Sequence, residues 1–257
     1  ERRWQLLQRF QKVVESDRAA MGRKAEDYTT FYADAQRIAS DPRWANLFKV
    51  TPEEQERYGK DEYGLGLLLA RNIFRADAGT HFIYINDGNR WDQHSFIFDR
   101  TKRLNHYVNC ERFDKGFASL IKDLSSSPGS VAGKSLLDET LIVATSEFGR
   151  TPAMNAVAGR DHYRHAYTTL FAGGGVKGGR VIGKTNEDAS AVVETGWKHK
   201  EQPFMDNCVA TIYSALGIDW LKTIPNTPSG RAYEYVQTAP IGGGEFISND
   251  EIAELFE

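Results

Sequence analysis

This sequence predicts an α/β fold, a mostly parallel sheet flanked by helices, on three observations. Leu141, Ile142, Val143 and Ala144 form a continuous apolar run with β-branched residues at its centre, the mark of a strand buried on both faces of a parallel sheet. An earlier apolar stretch, His81 to Ile85, is separated from that run by a loop and a long amphipathic helix. Strand, helix, strand is a right-handed crossover that sets two strands parallel. Just past the central run the chemistry changes to Ser146, Glu147, Gly149, Arg150 and Thr151, at the strand end where open α/β sheets hold their ligands.

Taken in order, Trp4, Leu7, Phe10 and Val14 recur at helical spacing. Tyr28, Phe31, Tyr32, Ala35 and Ile38 mark a second helix, ended by Asp41 and Pro42. Both aromatic-rich faces read as core. Thr51-Pro52-Glu53-Glu54 opens a further helix, with Thr as N-cap, Pro at the first helical position and acids in the first turn. Leu65, Leu68, Leu69 and Ile73 lie on another, which stops near Asp77 to Gly79. Roughly eighty helical residues thus precede the first strand, whereas a complete α/β domain alternates from its outset. The expectation is the carboxy-terminal part of a larger domain, completed by a missing amino-terminal portion or a partner chain.

After the first strand comes the turn-rich loop NDGNRWDQH, then a helix with Phe113, Phe117, Leu120, Ile121 and Leu124 on one face, then the loop SSSPGSVAGK. Thr168 to Ala172 reads as a further strand, and GGGVKGGRVIG as a glycine-rich hairpin or connection. Phe204, Met205, Cys208, Ile212 and Leu216 mark a helix closed by Gly217. The chain divides into a helical segment packing on the sheet (1–79), an α/β core carrying the site (80–220) and a tail (221–257). That tail is rich in Pro and Gly up to Gly244 and ends in a short acidic helix from Asn249 to Phe256.

Composition excludes several classes. With 40% hydrophobic and 26% charged residues the 257-residue chain is ordinary globular material. A net charge of -3 and a pI near 6.1 create no global field for nucleic acid or an anionic membrane. No apolar run approaches the roughly 18 residues that cross a bilayer. Cys110 and Cys208 are too few for a disulfide framework, lack C-x-x-C spacing, and read as buried free thiols on helical faces.

Gly178, Gly183, Lys184 and Thr185 satisfy the spacing of a phosphate-binding P-loop. That loop must leave a buried strand and open a helix, whereas Arg180, Val181 and Ile182 inside it favour extended structure, so the match is a decoy. GSVAGKS, from Gly129 to Ser135, is one residue short of the pattern and precedes a strand.

Asp92, His94, Glu147, Asp161 and His162 are the stronger constellation, carboxylates and imidazoles on loops expected at one edge of the sheet. Zinc takes His nitrogen and carboxylate oxygen, while manganese, magnesium and calcium favour the carboxylates. A divalent cation held there would polarise an ester oxygen or acidify a water. Arg150 is the candidate catalytic residue, with forked donors to steady an anion, and Arg160, Tyr163 and His165 are the candidate substrate contacts. The plainer readings are loop aspartates that cap their own turns, a Glu147–Arg150 pair that organises a loop, and two structural histidines.

From about Tyr58 onward the chain resembles a family of exported bacterial proteins, known as a domain of unknown function, within the alkaline phosphatase and sulfatase superfamily. The resemblance is carried by RYG (Arg57 to Gly59), LLLAR (Leu67 to Arg71), WDQH (Trp91 to His94) and LLDETLIVATSEFGRTP (Leu136 to Pro152). GRDHY (Gly159 to Tyr163) and FAGGGVKGGRVIGKT (Phe171 to Thr185) complete it. It implies an alkaline-phosphatase-like sheet, an exported protein in the periplasm or outside the cell, and an anionic small-molecule or glycan ester as substrate. It also implies that Asp92, His94 and His162 hold one of two metals. The superfamily's second site uses an Asp-His pair where this chain has Glu147 and Phe148, and phenylalanine ligates nothing. The superfamily's nucleophile belongs to strands earlier than any in this chain, and no C-x-P-x-R sulfatase motif is present. Two functions therefore compete: a metal-dependent hydrolase of phosphate or sulfate esters, and a noncatalytic exported binding or assembly protein on the same scaffold.

Overall fold

The structure, a computed structural model, describes residues 2–13, 23–236 and 250–257. Val14 and residues 237–249 of the tail, Asn249 among them, fall outside these residues. Helices α1 (Arg2–Val13) and α2 (Arg23–Ser40) occupy the two stretches of helical spacing. Phe31, Tyr32 and Ile38 are exposed, against the expectation that this face is core. The contacts of α2 are chiefly with the short helix α3 (Pro42–Leu47), which is too small to cover an apolar stripe. Asp41 serves the junction, its carboxylate accepting from the Arg43 N–H at 2.9 Å to cap α3.

The next three helices make the main core. Helix α4 (Pro52–Tyr58) opens at Thr51, the N-cap its sequence predicts, and the cap is a full capping box. Thr51 Oγ1 accepts from the Glu54 N–H at 3.2 Å, and Glu54 Oε2 accepts from the Thr51 N–H at 2.9 Å. Asp61 caps α5 (Glu62–Ala76) and Asn105 caps α6 (His106–Ser125). Tyr58, Leu68 and Leu124 are fully buried where these helices meet, joined by Tyr63, Leu67 and Leu120. Each such side chain contributes roughly 1.5–3 kcal/mol by leaving water. The helices close up because Gly116 faces them, since a Cβ there would lie 2.8 Å from Leu67 Cδ1 and 3.2 Å from the Tyr58 carbonyl. Arg71 is buried in the same layer and is paired with Asp123 at 2.8 Å and with Glu54. Asp123 also accepts from Tyr58 Oη at 3.0 Å and pairs with Arg57.

Ile85, Leu136, Leu137 and Ile142 pack on this core and tie the strand region to it. Strand β1 (Ile142–Ala144) falls in the expected apolar run, but its three residues are half-buried and its partner is antiparallel. It pairs with β4 (Leu170–Ala172) in the register Ile142↔Ala172, Val143↔Phe171, Ala144↔Leu170. Between them β2 (Gly149–Arg150) pairs with β3 (His162–Tyr163) in the register Gly149↔Tyr163, Arg150↔His162. From 142 to 172 the chain is thus one long irregular hairpin, out through β1 and β2, around a loop, and back through β3 and β4. Residues 81–85 form no ladder, and every ladder among the described residues is an antiparallel pair. The 81–85 segment still alternates, with Phe82 and Tyr84 exposed and Ile85 packed on the helices.

The glycine-rich stretch leads into a hairpin, β5 (Lys184–Thr185) with β6 (Val192–Glu194), and Val181 within it is exposed. No helix starts at Thr185, so the P-loop spacing has no phosphate-binding context. Helix α7 (Met205–Ala215) ends near Gly217 at φ +71°, as its sequence predicts. Strands β7 (Thr223–Ile224) and β8 (Tyr233–Glu234) follow. The terminal residues contain a 3-10 turn at Ala253–Leu255 in place of the longer acidic helix expected. They dock on α7, where Thr211 Oγ1 accepts from the Ile252 N–H at 2.9 Å and Asn207 Nδ2 donates to the Asp250 carbonyl at 3.0 Å. Cys208 is buried as expected, whereas Cys110 is exposed. No described helix is long and apolar enough to cross a membrane.

Candidate metal centre

The first arm of the site is the WDQH segment, anchored to α6 by its tryptophan. Trp91 closes a 3-10 turn (Gly88–Trp91), donates from Nε1 to Asp87 Oδ2 at 2.8 Å, and meets the rings of His106 and Phe113 edge-on. Asp87 is held in turn by Arg112 of α6 at 2.7 Å. Beyond this anchor the side chains alternate, with Gln93 buried between the exposed Asp92 and His94.

The second arm is the loop closing the long hairpin. Main-chain hydrogen bonds stitch it to the first arm, from Arg160 N to Gln93 O at 3.1 Å, Phe96 N to Val157 O at 3.0 Å and Ile97 N to Ala158 O at 3.0 Å. Gly159 explains how the arms come so close, because a Cβ there would sit 2.0 Å from the His94 carbonyl carbon. The glycine of the GRDH motif is therefore a requirement of close packing.

These arms bring three predicted ligands together. Asp92 Oδ1, His94 Nε2 and His162 Nε2 form a triangle with all three edges 3.0 Å. With both Nε2 atoms unprotonated, the carboxylate oxygen and the two ring nitrogens would present three lone pairs to a shared positive charge. Arg150 brings one, facing His162 across the β2–β3 ladder, donating to Asp92 Oδ1 and lying 3.5 Å from His94 Nε2. Hydrogen bonds from Arg150 first and His162 second hold the Asp92 carboxyl down at about 2. The nitrogen and oxygen donors match zinc, and the side chains of Asp92, His94 and His162 are 48%, 45% and 50% exposed. A set that open leaves room for a further ligand, unlike a closed structural site.

The other predicted site residues are placed differently. Asp161 touches the cluster only through His94, its Oδ1 lying 2.8 Å from Nδ1. Its carboxyl is held below the usual range by that contact and by Asn155. Glu147 is exposed and does not join the ligand triangle. Its neighbour Phe148 packs against the His162 ring at 4.2 Å between centroids. The Arg160 guanidinium lies over the Phe98 ring at 5.4 Å, and its main-chain carbonyl accepts from Arg150 at 3.2 Å. The Tyr163 hydroxyl donates to the Ser190 carbonyl, and the Tyr163 ring meets His165 at 5.2 Å. Sequence reasoning missed Phe148 as the wall behind His162 and Asn155 as the link between the arms. Asn155 had a legible signal as the one polar side chain from Pro152 to Gly159, since Asn in a loop caps its own turn, here accepting from the Val157 N–H at 3.1 Å.

The site is thus an open carboxylate and two-imidazole cluster with an arginine beside it, held by two loops of a mixed helical and stranded chain. The chain belongs to a protein family of unknown function, DUF1501, whose model matches residues 1–240. The match takes in the amino-terminal helices as well as the motifs. No curated protein and no solved structure matches the chain.

Proposed function

We propose that the protein binds a divalent cation, zinc by the chemistry of its donors, and hydrolyses a phosphate or sulfate ester on a scaffold of the alkaline phosphatase and sulfatase kind. The observation that carries this reading is the half-exposed triangle of Asp92, His94 and His162 with Arg150 against it. A cation bound there supplies Lewis acidity to an ester oxygen. Arg150 presents planar, forked donors that grip and orient the anionic group. Asp92 and the two histidines hold the positive charge, and the wall of Phe148 fixes the His162 ring against it. Manganese, magnesium or calcium would serve the same reading with more oxygen ligands. The substrate class that fits this reading is an anionic small molecule or glycan ester, and the resemblance to exported proteins supports a site of action in the periplasm or outside the cell.

One observation favours a second reading, a noncatalytic exported binding or assembly protein. Phe148 stands where the superfamily places a metal-binding histidine, so one cation site is supported and a two-metal mechanism is not.

Titration calorimetry with zinc, manganese, magnesium and calcium, followed by phosphatase and sulfatase assays on the loaded protein, separates the readings. The hydrolase reading expects one cation per chain and turnover that His162→Ala abolishes. Cation-dependent phosphate or sulfate binding without turnover establishes the binding protein. Absence of stoichiometric cation binding overturns the metal site itself.

A further inference from the structure

We propose that Asn155 and Asp161 are a positioning pair that fixes the tautomer of His94 and so decides which of its ring nitrogens faces the cation. This deepens the cation-binding reading above and rests on it only for its metal arm.

Asn155 lies in the loop between β2 and β3, and its amide orientation is dictated by four partners. Oδ1 accepts from the N–H groups of Val157 at 3.1 Å and Gly159 at 2.9 Å. Nδ2 is left to donate, to the His94 carbonyl at 2.9 Å and to Asp161 Oδ1 at 3.0 Å. A flipped amide would set nitrogen against two donors and oxygen against two acceptors, so one orientation alone satisfies the loop. The same side chain therefore fixes the main chain of His94 and the carboxylate that meets its ring.

That carboxylate assigns the proton. Asp161 Oδ1 is 2.8 Å from His94 Nδ1. At mildly alkaline pH a carboxylate only accepts, and the same Oδ1 already accepts from Asn155 Nδ2 at 3.0 Å. Nε2 also faces a carboxylate, Asp92 Oδ1 at 3.0 Å, but that oxygen is already engaged by Arg150 and by His162 Nε2, so the proton is assigned to Nδ1 and the lone pair to Nε2. Nε2 is the nitrogen 3.0 Å from both Asp92 Oδ1 and His162 Nε2. A carboxylate behind a metal-binding imidazole raises its basicity and locks its ring, and losing such a partner typically weakens metal binding by roughly 10- to 100-fold. Asp161, expected as a ligand, becomes on this geometry the residue that orients one.

The test is long-range proton–nitrogen NMR of the metal-free, nitrogen-15-labelled chain at mildly alkaline pH, with the His94 signals assigned through His94→Gln. The wild type should show His94 protonated at Nδ1. Asp161→Ala should move it toward the Nε2-protonated form, whereas Asp161→Asn, whose amide oxygen still accepts, should restore part of the Nδ1 form. Asn155→Ala should fall between the wild type and Asp161→Ala. Zinc affinity by calorimetry should follow the same order, with a loss of about 10- to 100-fold in Asp161→Ala. An Nε2-protonated His94 in the wild type overturns the proposal, and that spectrum decides the matter even where Asp161→Ala does not fold. A His94 tautomer unmoved in folded Asp161→Ala also overturns it, while zinc binding by the same protein would leave the metal reading standing. A tautomer that responds in a chain that binds no zinc upholds the positioning pair and removes the metal.

Discussion

Two arginine–aspartate clusters in this molecule share their chemistry and differ in their surroundings. In the helical layer Arg71 meets Asp123 at 2.8 Å, with Glu54, Arg57 and Tyr58 completing the partners, and the Arg71 and Asp123 side chains are only 4% and 8% exposed. At the tip of the long hairpin Arg150 meets Asp92, with two imidazoles alongside, and Asp92 is 48% exposed. The first cluster is enclosed by α4, α5 and α6, and its central Arg71–Asp123 pair is shielded from solvent even though Arg57 at its edge is exposed. The second is assembled by loops on an open face, where a cation or an anion can exchange with the groups already present. What separates a structural ion pair from a candidate site here is access, since the residue types are nearly the same.

The comparison is broken most directly by removing an aspartate from each cluster. Asp123→Ala takes away the buried partner of Arg71 and leaves Glu54 as its remaining carboxylate, so the loss approaches the roughly 3–5 kcal/mol of a broken buried pair, read from urea unfolding. Asp92→Ala leaves Arg150 able to rehydrate, so the urea midpoint should move less than in Asp123→Ala while cation binding is lost. If Asp92→Ala unfolds the protein as readily as Asp123→Ala, the open cluster is structural after all.

Arg150→Ala sharpens the same contrast on the ligand side. The cation ligands remain, so zinc binding should persist. Affinity of the zinc-loaded protein for inorganic phosphate should fall by roughly 10- to 100-fold, the value of charge-assisted hydrogen bonds to an anion. Calorimetry with phosphate checks it, and an unchanged phosphate affinity would take Arg150 out of anion binding.

Acid titration separates the clusters by a smaller effect. Arg150 and His162 lower the Asp92 carboxyl to about 2. A carboxyl depressed in the folded state contributes stability that is complete above its unfolded value, near 3.8, and is lost as pH falls toward 2. At Asp123 burial works to raise the carboxyl, and Arg71, Arg57 and Tyr58 outweigh it, so the net shift is also downward and the sign is the same. The wild type should therefore lose stability more steeply than Asp92→Asn between about pH 4 and pH 2, by a slope set by one carboxyl. Urea midpoints across that range measure it, and identical slopes would mean that the Arg150 contact does not form in solution.

The two regions were also unequally legible in the sequence. The helical layer announced itself through short-range chemistry. The Thr51 N-cap, the stop of α5 near Asp77 and the apolar face of α6 carrying Leu120 and Leu124 all depend on residues within a few positions of one another. The apolar run at Ile142 to Ala144 gave a strand but not its partner, because an antiparallel neighbour at Leu170–Ala172 and a parallel one produce similar apolar runs when both faces are covered. Asp92, His94 and His162 were legible as ligand types. Their meeting was not, because it depends on the 155–160 loop folding over residues 93–97. Local periodicity carries no trace of that stitching beyond Gly159. The exposure of Phe31 and Cys110 was missed for a related reason: helical spacing identifies an apolar face but not whether another element covers it.

The stitching has a cost that one substitution should expose. Ala158 holds a left-handed backbone at φ +56°, and its carbonyl accepts from Ile97 in the very contact that brings the two arms together. An L-residue in that region loses roughly 1–2 kcal/mol to the clash of its Cβ with the backbone. Glycine removes the clash but gains freedom in the unfolded chain, worth about 0.4–1 kcal/mol in the opposite direction. Ala158→Gly should therefore stabilise the protein by a net of roughly 0.5–1 kcal/mol in urea unfolding, with zinc affinity unchanged because the His94 carbonyl keeps its Asn155 partner. Phe96, also left-handed at φ +50°, is a poorer probe, since its ring lies under Lys102 and its loss would remove packing as well as strain. A destabilising Ala158→Gly would mean that the loop does not adopt this turn, and with it the close approach of Gly159 to His94 that assembles the triangle would have to be abandoned.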